Sequence, residues 1–167
     1  MTVVKATLNA KTMPLQLKKS TTALKVTSTL KGDKVKLWKS SNTKVATVSK
    51  SGKITAKKTG KTTITVTMKS GATAKCTVKV QKTKVTTKNL LIDKKKATLK
   101  VGKKVTLKVT RNPISATEKI TWTSSNKKIA TVSSKGVVTA KKAGTVTITA
   151  KSASGKKVTC KITVKKK

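Results

Sequence analysis

The chain has 167 residues, with 42 Lys or Arg against three Asp or Glu, a formal net charge of +39, and no His, Phe or Tyr. Asp33, Asp93 and Glu118 stand far apart, and Cys76 and Cys160 fall one in each half, so neither a transition-metal set nor an acidic calcium loop can be assembled. With proton-moving groups so scarce, the composition argues against an enzyme and against any cofactor; what remains, Val, Ile, Leu, Ala and abundant Thr, suits strands, and no apolar run is long enough to cross a membrane.

The opening MTVVKATLNAK lacks the apolar region and small-residue cleavage site of a signal peptide. The expectation is either a segment of a longer exported protein or a protein that reaches its place without classical secretion. Leu24 and Val26 mark a first strand. Trp38 follows, with Val35 and Leu37 on the opposite face of a regular strand. Val45 and Val48, then Ile54 and Ala56, predict two short strands around a turn at Lys50-Ser51-Gly52. Ile64, Val66 and Met68 alternate with threonines, and Ala74, Cys76, Val78 and Val80 alternate with Lys75, Thr77 and Lys79. This period of two predicts a hairpin with one buried and one wet face, turned at Ser70-Gly71.

After Gln81 to Thr86, which carries no Gly or Pro and reads as a short, stiff linker, the pattern begins again. Val105, Leu107 and Val109 predict one strand, and Pro113 predicts a break. Ile120 shares a face with Trp122. Ile129, Val132, Val138 and Ala140 flank a turn at Ser134-Lys135-Gly136. A final hairpin, Val146, Ile148 and Ala150 against Val158, Cys160, Ile162 and Val164, turns at Ser154-Gly155.

The segment from Trp38 to Val80 thus returns from Trp122 to Val164 at a constant offset of 84 residues, with about half the positions identical. A period of that length is a domain rather than a solenoid unit. The chain divides into residues 1–82 and 83–167, each with roughly seven short strands and no helix of useful length. The fold class is all-β, two tandem immunoglobulin-like β-sandwich domains. The opening of the first copy, ATLNAKTMPLQLKKSTTALKV, aligns with the second only through a one-residue slip.

The shared run, Trp, Ser-Ser-Asn, a hydrophobic-Ala-Thr-Val-Ser step, Gly, Thr-Ala-Lys-Lys, Gly and the closing strands, resembles the bacterial immunoglobulin-like domain, group 2, over about Lys88 to Val164 of the second copy. The resemblance implies a module strung in tandem on bacterial surface proteins, including intimin- and invasin-type adhesins, on secreted enzymes and on some phage virion proteins. The expected function is a non-catalytic stalk, surface-display or adhesion module of an exported bacterial protein, extracellular or at the cell surface. A phage virion structural or decoration protein is the alternative, prompted by Met1 standing close to the first domain. A non-specific nucleic-acid binder is the third reading. The expected shape is a monomeric rod or a segment of a longer chain.

Cys76 and Cys160 occupy equivalent inward positions, so two buried free thiols are expected rather than a bridge. Trp38 and Trp122 read either as core residues or as stacking platforms for sugars. The lysines stand on the outward phase of strands, as at Lys75, Lys79 and Lys161, and on turns, and they read two ways. They serve solubility and blunt strand edges, or they contact polyanions such as anionic glycans, teichoic acid or mucin. Nucleic acid would be bound only non-specifically, since Arg111 is the one guanidinium. The candidate contacts are the repeated pairs Lys57-Lys58 and Lys141-Lys142, and Lys127-Lys128.

Overall fold

The computed structural model describes residues 5–166. Met1, and with it the start of the MTVVKATLNAK segment, lies outside the described residues. Two compact units emerge, 1–85 with 113–115, and 86–112 with 116–167. All regular structure among the described residues is strand.

The first unit contains β1 (Thr7–Leu8), β2 (Thr12–Gln16), β3 (Ser20–Thr21), β4 (Val26–Ser28), β5 (Val35–Ser40), β6 (Ala46–Val48), β7 (Ile54–Ala56), β8 (Gly60–Met68) and β9 (Thr73–Gln81). The second contains β10 (Asn89–Ile92), β11 (Lys96–Lys100), β12 (Lys104–Thr106), β13 (Val109–Asn112), β14 (Ile120–Ser124), β15 (Ala130–Val132), β16 (Val137–Ala140), β17 (Gly144–Ser152) and β18 (Lys157–Lys165). Topologies match strand for strand. Four-stranded sheets run β2-β9-β8-β5 and β11-β18-β17-β14, three-stranded sheets β3-β7-β6 and β12-β16-β15, and two-stranded ribbons β1-β4 and β10-β13.

The final hairpins form as the alternation dictates. Ile64 faces Cys76 across β8 and β9, and Ile148 faces Cys160 across β17 and β18. Their inward residues are buried, with Ile64, Cys76, Val78, Ile148, Cys160 and Ile162 each 0% exposed. Met13, Leu15, Leu24 and Ile54 complete the first core, and Leu107, Val138 and Ala130 the second. These positions are where period-two patterning meets a facing sheet, which is what makes a sandwich stable.

Among the described residues each unit has nine strands rather than about seven, because its opening segment splits. β2 and β11 run parallel to the last strand, Thr12 beside Thr77 and Lys96 beside Lys161. The chain then turns and continues as β3 or β12 in the other sheet, antiparallel to β7 or β16. Switching sheets in three residues needs a left-handed backbone. Gly102 supplies it with φ 83°, and at the same repeat position Lys18 adopts φ 63°.

Val105, Leu107 and Val109 do not form one strand. β12 holds Val105 against Val138, β13 holds Val109 against Ile92, and Leu107 crosses between them, 1% exposed. Two backbone ties force the crossing: the Leu107 N–H donates to the Gly136 carbonyl at 2.9 Å, and the Lys108 N–H donates to Asp93 Oδ1 at 2.9 Å. Pro113 lies in a bend between β13 and β14, as expected of a residue without an amide donor. In β5 a bulge separates Val35 from Leu37, and both are exposed, at 38% and 44%.

Candidate functional site

The Ser-Ser-Asn segment after each Trp is the hub of a turn. Ser40 Oγ donates to the Ala46 carbonyl and Ser124 Oγ to the Ala130 carbonyl, both at 2.7 Å. Ser41 Oγ accepts the Thr63 N–H at 2.9 Å, and Ser125 Oγ accepts the Thr147 N–H at 3.0 Å. Asn42 Oδ1 accepts the Lys44 N–H at 3.1 Å, and Asn126 Oδ1 the Lys128 N–H at 3.0 Å, the Asx turn that this side chain favours. The serine hydroxyls and the Asn Oδ1 atoms of the repeated motif are therefore occupied in holding the turn. The lysines beside it are left exposed.

The Lys-Lys pairs grow out of the same turn. The N–H groups of Lys141 and Lys142 both donate to the Ile129 carbonyl, at 2.8 and 3.2 Å, while Lys127 and Lys128 lie immediately before Ile129. The structure thus brings four of the candidate lysines to one end of the second domain, all exposed. Lys57 and Lys58 donate in the same way to the Val45 carbonyl, at 2.9 and 3.1 Å, and form a separate cluster in the first domain. Lys44 belongs to that cluster, because Thr43-Lys44 stands where the other copy has Lys127-Lys128. It was not singled out in the sequence, although the constant offset points to it.

In a second group of lysines the sequence alone pointed only to Lys161, on the outward phase of its strand, and not to its neighbours. Lys96 and Lys100 on β11 face outward directly beside Lys161 and Lys165 on β18, and Lys151 on β17 stands opposite Lys157. The alternation in KATLK, with Ala97 and Leu99 packed inward, carried the signal for this strand.

Negative charge is held inside loops. Asp33 accepts the hydroxyls of Ser70 at 2.6 Å and Thr29 at 3.0 Å, and the N–H groups of Ser70 and Lys34. Asp93 accepts the Lys108 N–H and pairs with Lys94 at 3.0 Å. Glu118, 7% exposed, accepts the Thr87 N–H at 2.7 Å and Ser154 Oγ at 2.8 Å. Its carbonyl accepts Arg111 Nε at 3.0 Å. Hydrogen bonding from Ser70 above all holds the Asp33 carboxyl below its usual range, and the Lys108 N–H does the same for Asp93. Among the described residues no three His, Cys, Asp or Glu converge as metal ligands.

Cys76 and Cys160 are free and buried, as their inward phase predicts. Burial pushes the Cys76 thiol up to about 11 and raises Cys160 as well, with the nearby Asp93 charge adding to the latter. Trp38 and Trp122 pack at the rim of each core, half-buried rather than enclosed. Each indole covers the glycine of the following turn. A methyl group on Gly52 would lie 3.1 Å from Trp38 Cε2, and one on Gly136 would lie 2.9 Å from Trp122 Cζ2. Trp122 also lines surface grooves on two sides, one with Arg111, Lys108 and Lys135 and one with Lys127 and Thr131.

Similar solved structures include the surface-layer protein SbsC, domains 1–6, at 26% identity and a TM-score of 0.46, covering 78% of this chain and 20% of that one. Domains 4 and 5 of SbsC give 21% identity and a TM-score of 0.44, covering 98% of each chain. An intimin mutant from EHEC O157:H7 gives 25% identity and a TM-score of 0.38, covering 45% of each. The chain therefore spans only 20% of the length of the six-domain SbsC structure. Comparison with curated proteins returns no match. The model of the bacterial Ig-like domain (group 2) matches twice, at residues 4–78 and 83–162. With nearly the whole chain accounted for by these two matches, it belongs to the bacterial Ig-like domain (group 2) family and carries two copies of that domain in tandem.

Proposed function

We propose that the chain is a non-catalytic surface module of a bacterial protein, acting outside the cell as a stalk or adhesion segment whose lysine coat binds polyanions. Family membership supports the surface role. The observation that carries the binding role is the unequal use of charge: the three carboxylates are engaged in loop hydrogen bonds of their own domains, while lysines lie exposed on turns and outward strand faces. A surface of one sign attracts any dense polyanion and raises the rate of encounter. Anionic glycans, mucin and teichoic acid fit that role; DNA would bind through its phosphates without sequence preference. The lysine pairs at 57–58, 127–128 and 141–142 are the proposed contacts.

The test is a panel of anionic glycans, teichoic acid and DNA, matched in charge density, at about 0.15 M salt, where exposed charges are screened beyond ~8 Å. Binding is expected to weaken as salt rises and to tolerate single Lys substitutions. If no polyanion binds under these conditions, the lysines serve solubility and the chain is a spacer.

A further inference from the structure

Within that polyanion reading, we infer that the outward face of the β11-β18-β17-β14 sheet is the principal anion-binding surface, and that its ligand is a flexible linear phosphodiester polymer. Lys96, Lys100, Lys151, Lys157, Lys161 and Lys165 are exposed on this face, interleaved with Thr98, Thr121, Thr123, Thr145, Thr147, Thr149, Thr159 and Thr163. No carboxylate belongs to it. Six of its residues form three direct like-charge pairs, Lys96 beside Lys161, Lys100 beside Lys165, and Lys151 beside Lys157. Neighbouring strands lie only ~4.8 Å apart, so each pair roots two lysines side by side, an arrangement that like charge disfavours and an anion between them would relieve. A shallow depression lined by Lys95, Thr147, Lys157, Thr159 and Lys161 lies on the same face.

The first domain supplies an internal comparison. Its sheet has the same topology, but β2 places Thr12 beside Thr77 and Gln16 beside Gln81, so the lysine pairs along the parallel edge are missing and Lys61 opposite Lys79 remains. The fold alone therefore does not require lysines at 96 and 100. Residues two apart on a strand are ~6.8 Å apart, giving rows of cation and hydroxyl in two directions. A chain carrying one negative charge per repeat can settle on such rows by charge and hydrogen bonding. The face presents no aromatic ring on which a base or a sugar would stack. That favours a phosphodiester polymer with small linking groups over nucleic acid or a stiff sulfated glycan.

The experiment measures binding of size-fractionated poly(glycerol phosphate) to the full chain at about 0.15 M salt, beside charge-matched dextran sulfate and single-stranded DNA. The double variant Lys96→Thr with Lys100→Gln gives β11 the residues its counterpart carries. It is expected to lose roughly tenfold in affinity and to flatten the salt dependence by about 1.5 in log–log slope, as losing two phosphate contacts would. Lys31→Thr with Lys50→Gln removes the same charge from turns of the first domain and is expected to stay within about twofold, because screening confines exposed charges to their neighbourhood. Lys151→Thr with Lys157→Thr probes the third pair if the first variant fails to fold. Equal losses in face and turn variants overturn the inference while leaving dispersed binding intact. Tighter binding of dextran sulfate or DNA overturns the choice of ligand. Absence of binding by the wild-type chain overturns both this inference and the polyanion reading.

Discussion

Single residues set two of the turns in each domain. At Gly136 an added methyl meets not only the Trp122 ring but the Leu107 carbonyl at 2.6 Å, a backbone atom in the crossing between β12 and β13 that is tied to Gly136 by the Leu107 N–H; at Gly52 the three nearest atoms all belong to the Trp38 side chain. Both glycines have φ near 80°, so alanine is strained at either by about 1–2 kcal/mol. Overpacking against fixed backbone adds about 1–3 kcal/mol at Gly136. Chemical denaturation of the two variants is expected to show Gly136→Ala as the more damaging, by about 3 kcal/mol against about 1.5 for Gly52→Ala. Lys18 is the opposite case. It occupies a left-handed backbone that its counterpart Gly102 meets without strain, so Lys18→Gly is expected to stabilise the first domain by about 0.5–1 kcal/mol once the added freedom of the unfolded chain is subtracted. An unchanged or lower denaturation midpoint would show that the lysine is not strained there.

At the scale of elements, loops are tied by carboxylates and strands are set against one another by lysines. Asp33 joins the loop before β5 to the β8-β9 turn through Ser70. Its carboxyl is held below the ordinary value of 3.8 in the folded state, so the tie contributes fully above the unfolded value and is lost as pH falls through the lower, folded one. Asp33→Asn is expected to lower the melting temperature at neutral pH and to converge with the wild-type chain in strong acid, as scanning calorimetry between pH 7 and pH 2 can follow. A gap that persists in acid would mean that the side chain acts through shape and not charge.

The same elements show what could be read in advance. Hairpins β8-β9 and β17-β18 follow from alternation alone, because a strand buried on one face writes its period directly into the sequence. The split of Val105, Leu107 and Val109 does not, since their spacing also suits a continuous strand and only the partners, Gly136 and Asp93, reveal the crossing. Among the lysines, those on turns were visible as repeated pairs. Lys161 of β18 was visible as an outward residue, but its pairing with β11 was not, because that pairing is parallel and joins segments far apart in the chain. The half-buried state of the tryptophans depends likewise on where the turn glycines come to rest.

For the whole molecule, there is no His, the side chain whose ordinary value falls between pH 5 and 8, and burial raises both thiols further from that range, so the formal charge of +39 rests on an excess of lysine over carboxylate. Because the three carboxylates are tied up in loops, a second copy meets repulsive lysines and few free acids with which to pair. Copies of the chain are therefore poorly suited to act as one another's counter-ions. A polymer of opposite sign would instead act as their common counter-ion, gathering such modules when it is scarce enough to be shared and separating them again when each copy can be coated on its own.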